Sequence, residues 1–254
     1  MKTLVMAVQK GGVGKTSILA HVALDFEERG LRVAVVDFDT QAHTSGIMEK
    51  HGAACAMESV ELFTGLVREG GIVGGAGRIV LFQATDALAD IERAMTWQDA
   101  ANCLQANLSA LAGGFDVCLI DTGPTQGAVI TAALVAADYV ASPVKLDALG
   151  LQGVVKTFEA LGNVMEYNPA LRFLGMLPSL VDFRNPTHVR DLAALRESYP
   201  GETMPVYVGL RNSVAEAVGA GVPVWKLPKT SARKAGRELR AIAQHIYNAM
   251  EISA

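Results

Sequence analysis

Gln9-Lys10-Gly11-Gly12-Val13-Gly14-Lys15-Thr16-Ser17 is the stretch whose reading decides the fold. Ahead of it, Thr3-Leu4-Val5-Met6-Ala7-Val8 is continuously apolar after its first residue, the pattern of a buried parallel strand. Behind it, Ile18, Leu19, Val22 and Phe26 recur at helical spacing. The glycines therefore fall at a strand-to-helix turn. Gly11, Gly12 and Gly14 let the backbone curl without Cβ clashes and turn successive N–H groups inward. Those amides, with the positive end of the following helix, make a cradle for phosphate oxygens. Lys15 adds a cation for the β- and γ-phosphates, and the Thr16 hydroxyl is placed to ligate Mg²⁺. Gly11 to Ser17, with Lys10 ahead of them, are thus the expected nucleotide-binding residues.

The general pattern G-x-x-x-x-G-K-[ST] is not met in full, because position 9 is Gln. What stands here is K-G-G-x-G-K-[ST], with Lys10 five residues before Lys15. At average residue frequencies such a string arises by chance in fewer than about one chain of this length in a thousand. A glycine-rich turn flanked by surface lysines is the bland alternative, and the strand and helix on either side weigh against it.

Composition sets the outer bounds. The chain has 254 residues, half of them apolar and 19% charged, which is the make-up of a compact globular protein. Strands and helices alternate along it. Arg32 to Phe38, Arg78 to Gln83, Phe115 to Ile120, Tyr139 to Pro143, Phe173 to Leu177 and Met204 to Val208 read as further strands. Helices are predicted between Trp97 and Ala112 and over Thr125 to Ala136, Leu149 to Leu161, Pro186 to Tyr199 and Ser231 to Met250. This pattern predicts an α/β fold with a doubly wound, mostly parallel sheet and helices on both faces. No linker or internal repeat marks a boundary, so residues 1–254 are expected to form a single domain around the phosphate-binding loop.

Residues 42–77 say least. His43 and His51 read as solvated loop histidines, and Gly70 to Gly77 as a surface loop. Cys55, Cys103 and Cys118 have no metal-like spacing, which suits a reducing cytoplasm. The start shows no secretory pattern, and the run from Ala128 to Ala141 is too short and polar to span a bilayer. A net charge of −4 speaks against a chain wholly given to nucleic acid but leaves room for a local basic patch.

Three acids stand at strand ends. Asp37 and Asp39 close the second strand, and Asp121 follows Leu119-Ile120. Ligands of open parallel sheets bind beyond the carboxyl ends of strands, so all three fall near the phosphates. An acid ending an apolar strand is the Walker B arrangement that holds Mg²⁺ directly or through water. A plain turn with Asp as helix cap is the alternative at Asp37 and Asp39.

The glycine string resembles the deviant Walker A motif of the ParA/MinD family of ATPases. The resemblance extends to Val35-Val36-Asp37-Phe38-Asp39-Thr40-Gln41 and to Leu119-Ile120-Asp121-Thr122-Gly123-Pro124, and it covers nearly the whole chain. The first part looks most like the plasmid-partition ParA proteins. The resemblance implies ATP and Mg²⁺ as cofactors, with Mg²⁺ near Thr16, Asp37 and Asp121. It gives catalytic roles to Lys10, Lys15 and Asp39: Asp39 orients the attacking water, and Lys10 reaches into a partner subunit's site. It implies a homodimer when ATP is bound, slow unstimulated turnover, and a ParB-type centromere-binding partner that stimulates hydrolysis. The family often has Pro at the places of Thr40 and Gly123, so both switch loops depart from its pattern here.

ParA proteins bind DNA without sequence preference through their C-terminal third, where this chain concentrates its cations. Arg184 matches a DNA-contacting family arginine, a second one falls on Ser213, and Arg211 stands two positions earlier. Lys226, Lys229 and Arg233 complete the expected DNA-binding set. A solvated set of charges balanced by Glu197, Glu202, Glu216 and Glu238 is the competing reading. The last helix places Leu239, Ile242, Ile246 and Met250 on one face; docking on the domain is preferred over membrane binding, so no membrane partner is expected. The chain begins directly at its first strand, so operator-specific repression by a leading helix-turn-helix is not expected. The expected function is a DNA-segregation ATPase, cytoplasmic and nucleoid-associated. The alternatives are a MinD-like or protein-assembly positioning ATPase, or an ATP-dependent biosynthetic ligase of the same superfamily.

Overall fold

The computed structural model describes residues 1–7, 11–124 and 127–252, with backbone alone for 148–152. The strands are β1 (Lys2–Met6), β2 (Arg32–Phe38), β3 (Ala54–Glu58), β4 (Arg78–Gln83), β5 (Val117–Thr122), β6 (Tyr139–Lys145) and β7 (Arg172–Ser179). Among the described residues they form one sheet of seven strands in the order β3-β4-β2-β5-β1-β6-β7. Every pairing is parallel. The connection after β1 leads to one half of the sheet and that after β6 to the other, so the carboxyl end of β1 opens where the winding reverses.

The helices are α1 (Lys15–Glu28), α2 (His43–His51), α3 (Glu61–Thr64), α4 (Leu88–Ala94), α5 (Trp97–Leu111), α6 (Ala128–Ala136), α7 (Ala148–Met165), α8 (Pro186–Ser198), α9 (Asn212–Ala220) and α10 (Thr230–Ala249). They cover both faces, because the central strands are apolar on both. Leu4, Met6, Val33, Val35, Val117 and Leu119 pack toward α1 and α10, whereas Val5, Ala34, Val36, Cys118 and Ile120 pack toward α5 and α6. The period of two thus runs inside continuously apolar strands. Leu239, Ile242, Ile246 and Met250 are all buried in the first of these clusters, so the apolar stripe of the last helix is spent on the domain.

Several expectations need correction. Met204 to Val208 is not a strand. It runs beside β7 and bonds to it through Met204 N–H to Met176 O at 2.8 Å and Val208 N–H to Pro178 O at 3.0 Å. Pro205 cannot donate between them, and only isolated bridges form, at Thr203 and Gly209. The Phe115-to-Ile120 strand starts at Val117 and runs through Thr122, so Asp121 lies inside it. The helix expected from Thr125 begins at Ala128; Thr125 and Gln126 lie outside the described residues. In the uninformative stretch stand α2, β3 and α3, and α4 and α9 were also not anticipated. His51 is no loop residue: it ends α2, with Nε2 2.6 Å from Glu27 Oε2 and Nδ1 3.2 Å from Gly221 O.

His21 fastens α1 to the segment before α10. Its Nδ1 lies 2.6 Å from Ser17 O and donates to it; Nε2 accepts the Val224 N–H at 3.1 Å. Both partners need the neutral ring, and burial lowers its pKa to about 4. A folded-state pKa below the unfolded value gives stability that is full above pH about 6.5 and is lost as pH falls toward 4. Wild type should therefore lose about 2 kcal/mol through this residue between pH 7.5 and pH 5. Urea titrations of wild type and His21→Gln at both pH values check this: the variant should show a loss smaller by about that amount.

Candidate functional site

The site is built at the carboxyl ends of β1, β2 and β5, which are neighbours in the sheet. The register sets Met6 beside Asp121 and Asp37 beside Asp121, so the two acids stand on adjacent strands at the same height. Both are fully buried. The Lys15 ammonium lies 2.5 Å from Asp121 Oδ1 and also donates to the Thr122 carbonyl. The Thr16 hydroxyl donates to Asp121 Oδ2 at 2.7 Å.

The loop between β1 and α1 is held open by its glycines. Gly12 and Gly14 have φ of +73° and +81°, where a side chain is strained. Among the described residues nothing lies within 4 Å of where a Cβ would stand on Gly11 or Gly12. Gly14 has a neighbour instead: a Cβ there would come 3.3 Å from Ser179 Oγ. Ser179, at the end of β7, donates its hydroxyl to the Val13 carbonyl at 2.6 Å and pins the loop from the far side. Lys10, expected to act in catalysis and binding, lies outside the described residues, as does Gln9.

Two hydroxyls that sequence reasoning passed over complete the site. Thr44 donates to Asp121 Oδ2 at 2.6 Å, and Ser45 gives Asp37 Oδ2 both its N–H and its hydroxyl, each at 2.8 Å. Asp39 N–H donates to Asp37 Oδ1 at 3.0 Å, and Ala84 N–H donates to Ser45 Oγ at 3.0 Å. Burial, with the charge on Asp121 adding to it, pushes the Asp37 carboxyl up to about 6 against these bonds. Asp39 itself is half-buried and accepts the Gln41 N–H at 3.0 Å. The signal for Thr44 and Ser45 was a run of hydroxyls just after Asp39-Thr40-Gln41, at a helix start that nothing else announced.

Among the described residues no group of three His, Cys, Asp or Glu side chains comes together to hold a metal. Thr16, Asp37 and Asp121 fit a Mg²⁺ ion that keeps waters and takes phosphate oxygens, the usual habit of that cation.

The expected DNA-binding residues are spread over a different surface. Arg184 is highly exposed, with its guanidinium on Asp182 at 3.0 Å. Arg211 is mostly buried and forked onto Glu238 at 2.6 and 2.8 Å. Lys226 pairs with Glu28 at 3.2 Å and Lys229 with Glu216 at 2.6 Å. Arg233, Lys234 and Arg237 lie exposed on α10 with no carboxylate partner among the described residues. No helix is long and apolar enough to cross a membrane among the described residues.

Residues 1–173 match the family model described as an AAA domain. The chain is 50% identical to Protein IncC of Escherichia coli, over all of this chain and 71% of that protein. It is 30% identical to the chromosome-partitioning ATPase Soj of Thermus thermophilus, over 91% of this chain and 90% of Soj. A Cyanothece McdA variant in complex with ATP superimposes with a TM-score of 0.81 at 21% identity, covering 97% of this chain and 96% of McdA.

Ser45→Ala strips Asp37 of a hydroxyl bond and leaves the Ala84 amide without its acceptor. It should destabilise the fold by about 1–3 kcal/mol, as loss of a buried charged bond does. Denaturant midpoints measure this, and an unchanged midpoint would mean that the Ser45 hydroxyl is not engaged.

Proposed function

The chain belongs to the ParA/MinD family of deviant Walker A ATPases, and from that membership we propose a DNA-partition ATPase that pairs with a second copy when Mg-ATP fills its site. The observation that supports this most is the meeting of Lys15, Thr16, Asp37 and Asp121 at three adjoining strand ends. Bound Mg-ATP supplies the scissile phosphoanhydride and a cation that neutralises its charge.

The protein's own residues would do the rest. The amides of Gly11 to Ser17 and the α1 N-terminus bind phosphate oxygens. With nucleotide bound, Lys15 would leave Asp121 and the Thr122 carbonyl for phosphate, and Thr16, Asp37 and Asp121 would hold Mg²⁺, directly or through water. Asp39 orients the attacking water. Lys10 reaches across to the other subunit's site and offsets charge there, as an arginine finger does. With water positioned and not chemically activated, unstimulated turnover is slow. A ParB-type centromere-binding protein accelerates it, and the dimer parts.

Nonspecific DNA is held through phosphate contacts on both subunits, so pairing doubles the contacts. Arg184 and Arg233 are the most available of the five assigned residues. Arg211, Lys226 and Lys229 must first leave Glu238, Glu28 and Glu216. We place the protein in the cytoplasm, on the nucleoid, as a single ATPase domain over residues 1–254. Burial of the apolar face of α10 favours this over a MinD-like membrane role. A biosynthetic ligase would need a metabolite for turnover.

Sedimentation should give a dimer with Mg-ATP and a monomer with Mg-ADP, and nonspecific DNA should raise ATP turnover at low salt and lose its effect at high salt. Equal masses in both nucleotides, or turnover indifferent to DNA at both salts, would defeat the reading. Lys10→Ala should keep ATP binding yet fail to form the closed dimer; normal pairing and hydrolysis would remove Lys10 from the mechanism.

A further inference from the structure

Asp121 Oδ2 accepts two hydroxyls, and only one of them belongs to the phosphate-binding turn. Thr16 reaches it from α1 at 2.7 Å; Thr44, fully buried, reaches it from α2 at 2.6 Å. Oδ1 is met by Lys15. In the ATPase reading Lys15 is drawn to phosphate and Thr16 to Mg²⁺. Of these three donors, Thr44 is the one drawn to neither.

The chain is bent to bring Thr44 there. Ala42, at the N-cap of α2, has φ +52° and ψ +30°, a left-handed conformation that an L side chain resists. Its N–H closes a turn onto the Asp39 carbonyl at 2.8 Å, and its own carbonyl accepts the Gly46 N–H at 3.0 Å, so the helix begins at once. The first turn then delivers Thr44 to Asp121 and Ser45 to Asp37. A strained residue persists where its surroundings over-determine it, and here those surroundings are two buried acids.

The helix is also fastened by groups that nucleotide does not call on. At its start the Ala84 N–H donates to Ser45 Oγ at 3.0 Å. At its end His51 lies against Glu27 and the Gly221 carbonyl, and Lys50 donates to the Gly219 carbonyl. Thr44 therefore has bonds that keep its place when Lys15 moves.

We infer that Thr44 is a positioning residue for Mg²⁺: its hydroxyl holds the Asp121 carboxylate in the orientation that the ion uses, without ligating the ion itself. The inference rests on the ATPase reading. A donor behind a metal-holding carboxylate limits its rotation, so less freedom is lost when the metal binds. Without that donor the Asp121 side chain turns more freely once Lys15 has gone, and the ion meets an unaligned acid.

The test uses the full chain and calorimetric titration of Mg²⁺ into its ADP complex, with free ADP as the blank, so no turnover is needed. Thr44→Val keeps the side chain's shape and removes the hydroxyl; it should weaken Mg²⁺ binding about tenfold or more. Thr44→Ala carries the same expectation, should valine not be accommodated. Thr44→Ser restores the donor and should recover most of the affinity. ADP binding in excess EDTA should stay within about twofold of wild type in every variant, since Thr44 lies outside the phosphate-binding loop. A general loss of structure would weaken binding with and without metal alike. In turnover, Thr44→Val should need more Mg²⁺ for half-maximal rate and keep most of the rate at saturation. Wild-type Mg²⁺ affinity in Thr44→Val and Thr44→Ala, no recovery in Thr44→Ser, or an equal fall in metal-free ADP binding would overturn the inference. A wild type that binds no adenine nucleotide would instead defeat the ATPase reading, and the inference with it.

Discussion

The buried charge of Asp121 is the constraint from which the rest of the site follows. A carboxylate with no exposure, placed between β1 and β2, is costly unless every oxygen is met. Oδ1 is met by Lys15 and Oδ2 by Thr16 and Thr44. Those three partners come from the first turn of α1 and the first turn of α2. Satisfying one acid therefore brings two helix starts against the end of β5. Asp37, one strand over, repeats the arrangement through Ser45 and the Asp39 amide. The two acids repel each other, which is part of why Asp37 titrates high, and it explains why the surrounding donors are so many.

The parts of this site legible in the sequence are those where chemistry dictates residue type and spacing together. A curled loop with φ near +80° demands glycine, so Gly12 and Gly14 announce themselves. Strands buried on both faces demand unbroken apolar runs, and β2 and β4 have the bounds such runs predict. Ser179 was silent, and the Thr44-Ser45 run was a faint signal, because the role of a hydroxyl depends on what the fold brings within 3 Å. The α2–β3 region was silent for a different reason. β3 is an edge strand whose residues are nearly all exposed, and α2 buries only Ile47 and Met48 among its large apolar side chains, so neither shows the periodicity on which sequence reading relies. Met204 to Val208 misled in the opposite direction: the residues are apolar enough for a strand, but Pro205 forbids the ladder.

Charge was the least legible property. Counting cations in the C-terminal third treats Arg211 and Arg233 alike, yet the fold gives Arg211 a forked, largely buried bond to Glu238 and leaves Arg233 in water. Glu238 also accepts the Gly209 N–H at 3.1 Å, so it is tied to backbone as well as to the guanidinium. An arginine so held organises the turn before α9, and its charge is already answered. Exposed pairs such as Lys229 with Glu216 are worth little in isolation and give way readily to a polyanion. The distinction lies in burial, which composition does not record.

Helix α2 relates these regions physically. Its first turn presents Thr44 and Ser45 to the two buried acids, and its last residues press on the far end of α9. Lys50 Nζ donates to Gly219 O at 3.1 Å, and a Cβ on Gly221 would come 2.5 Å from that of Lys50. The approach is close enough that Gly221, with φ at +66°, is required both by backbone and by space. A helix of nine residues thus abuts the residues around the two buried acids, Asp37 and Asp121, at one end and the C-terminal turn of α9 at the other, a role that the sequence, read for motifs, left as an unremarked connection.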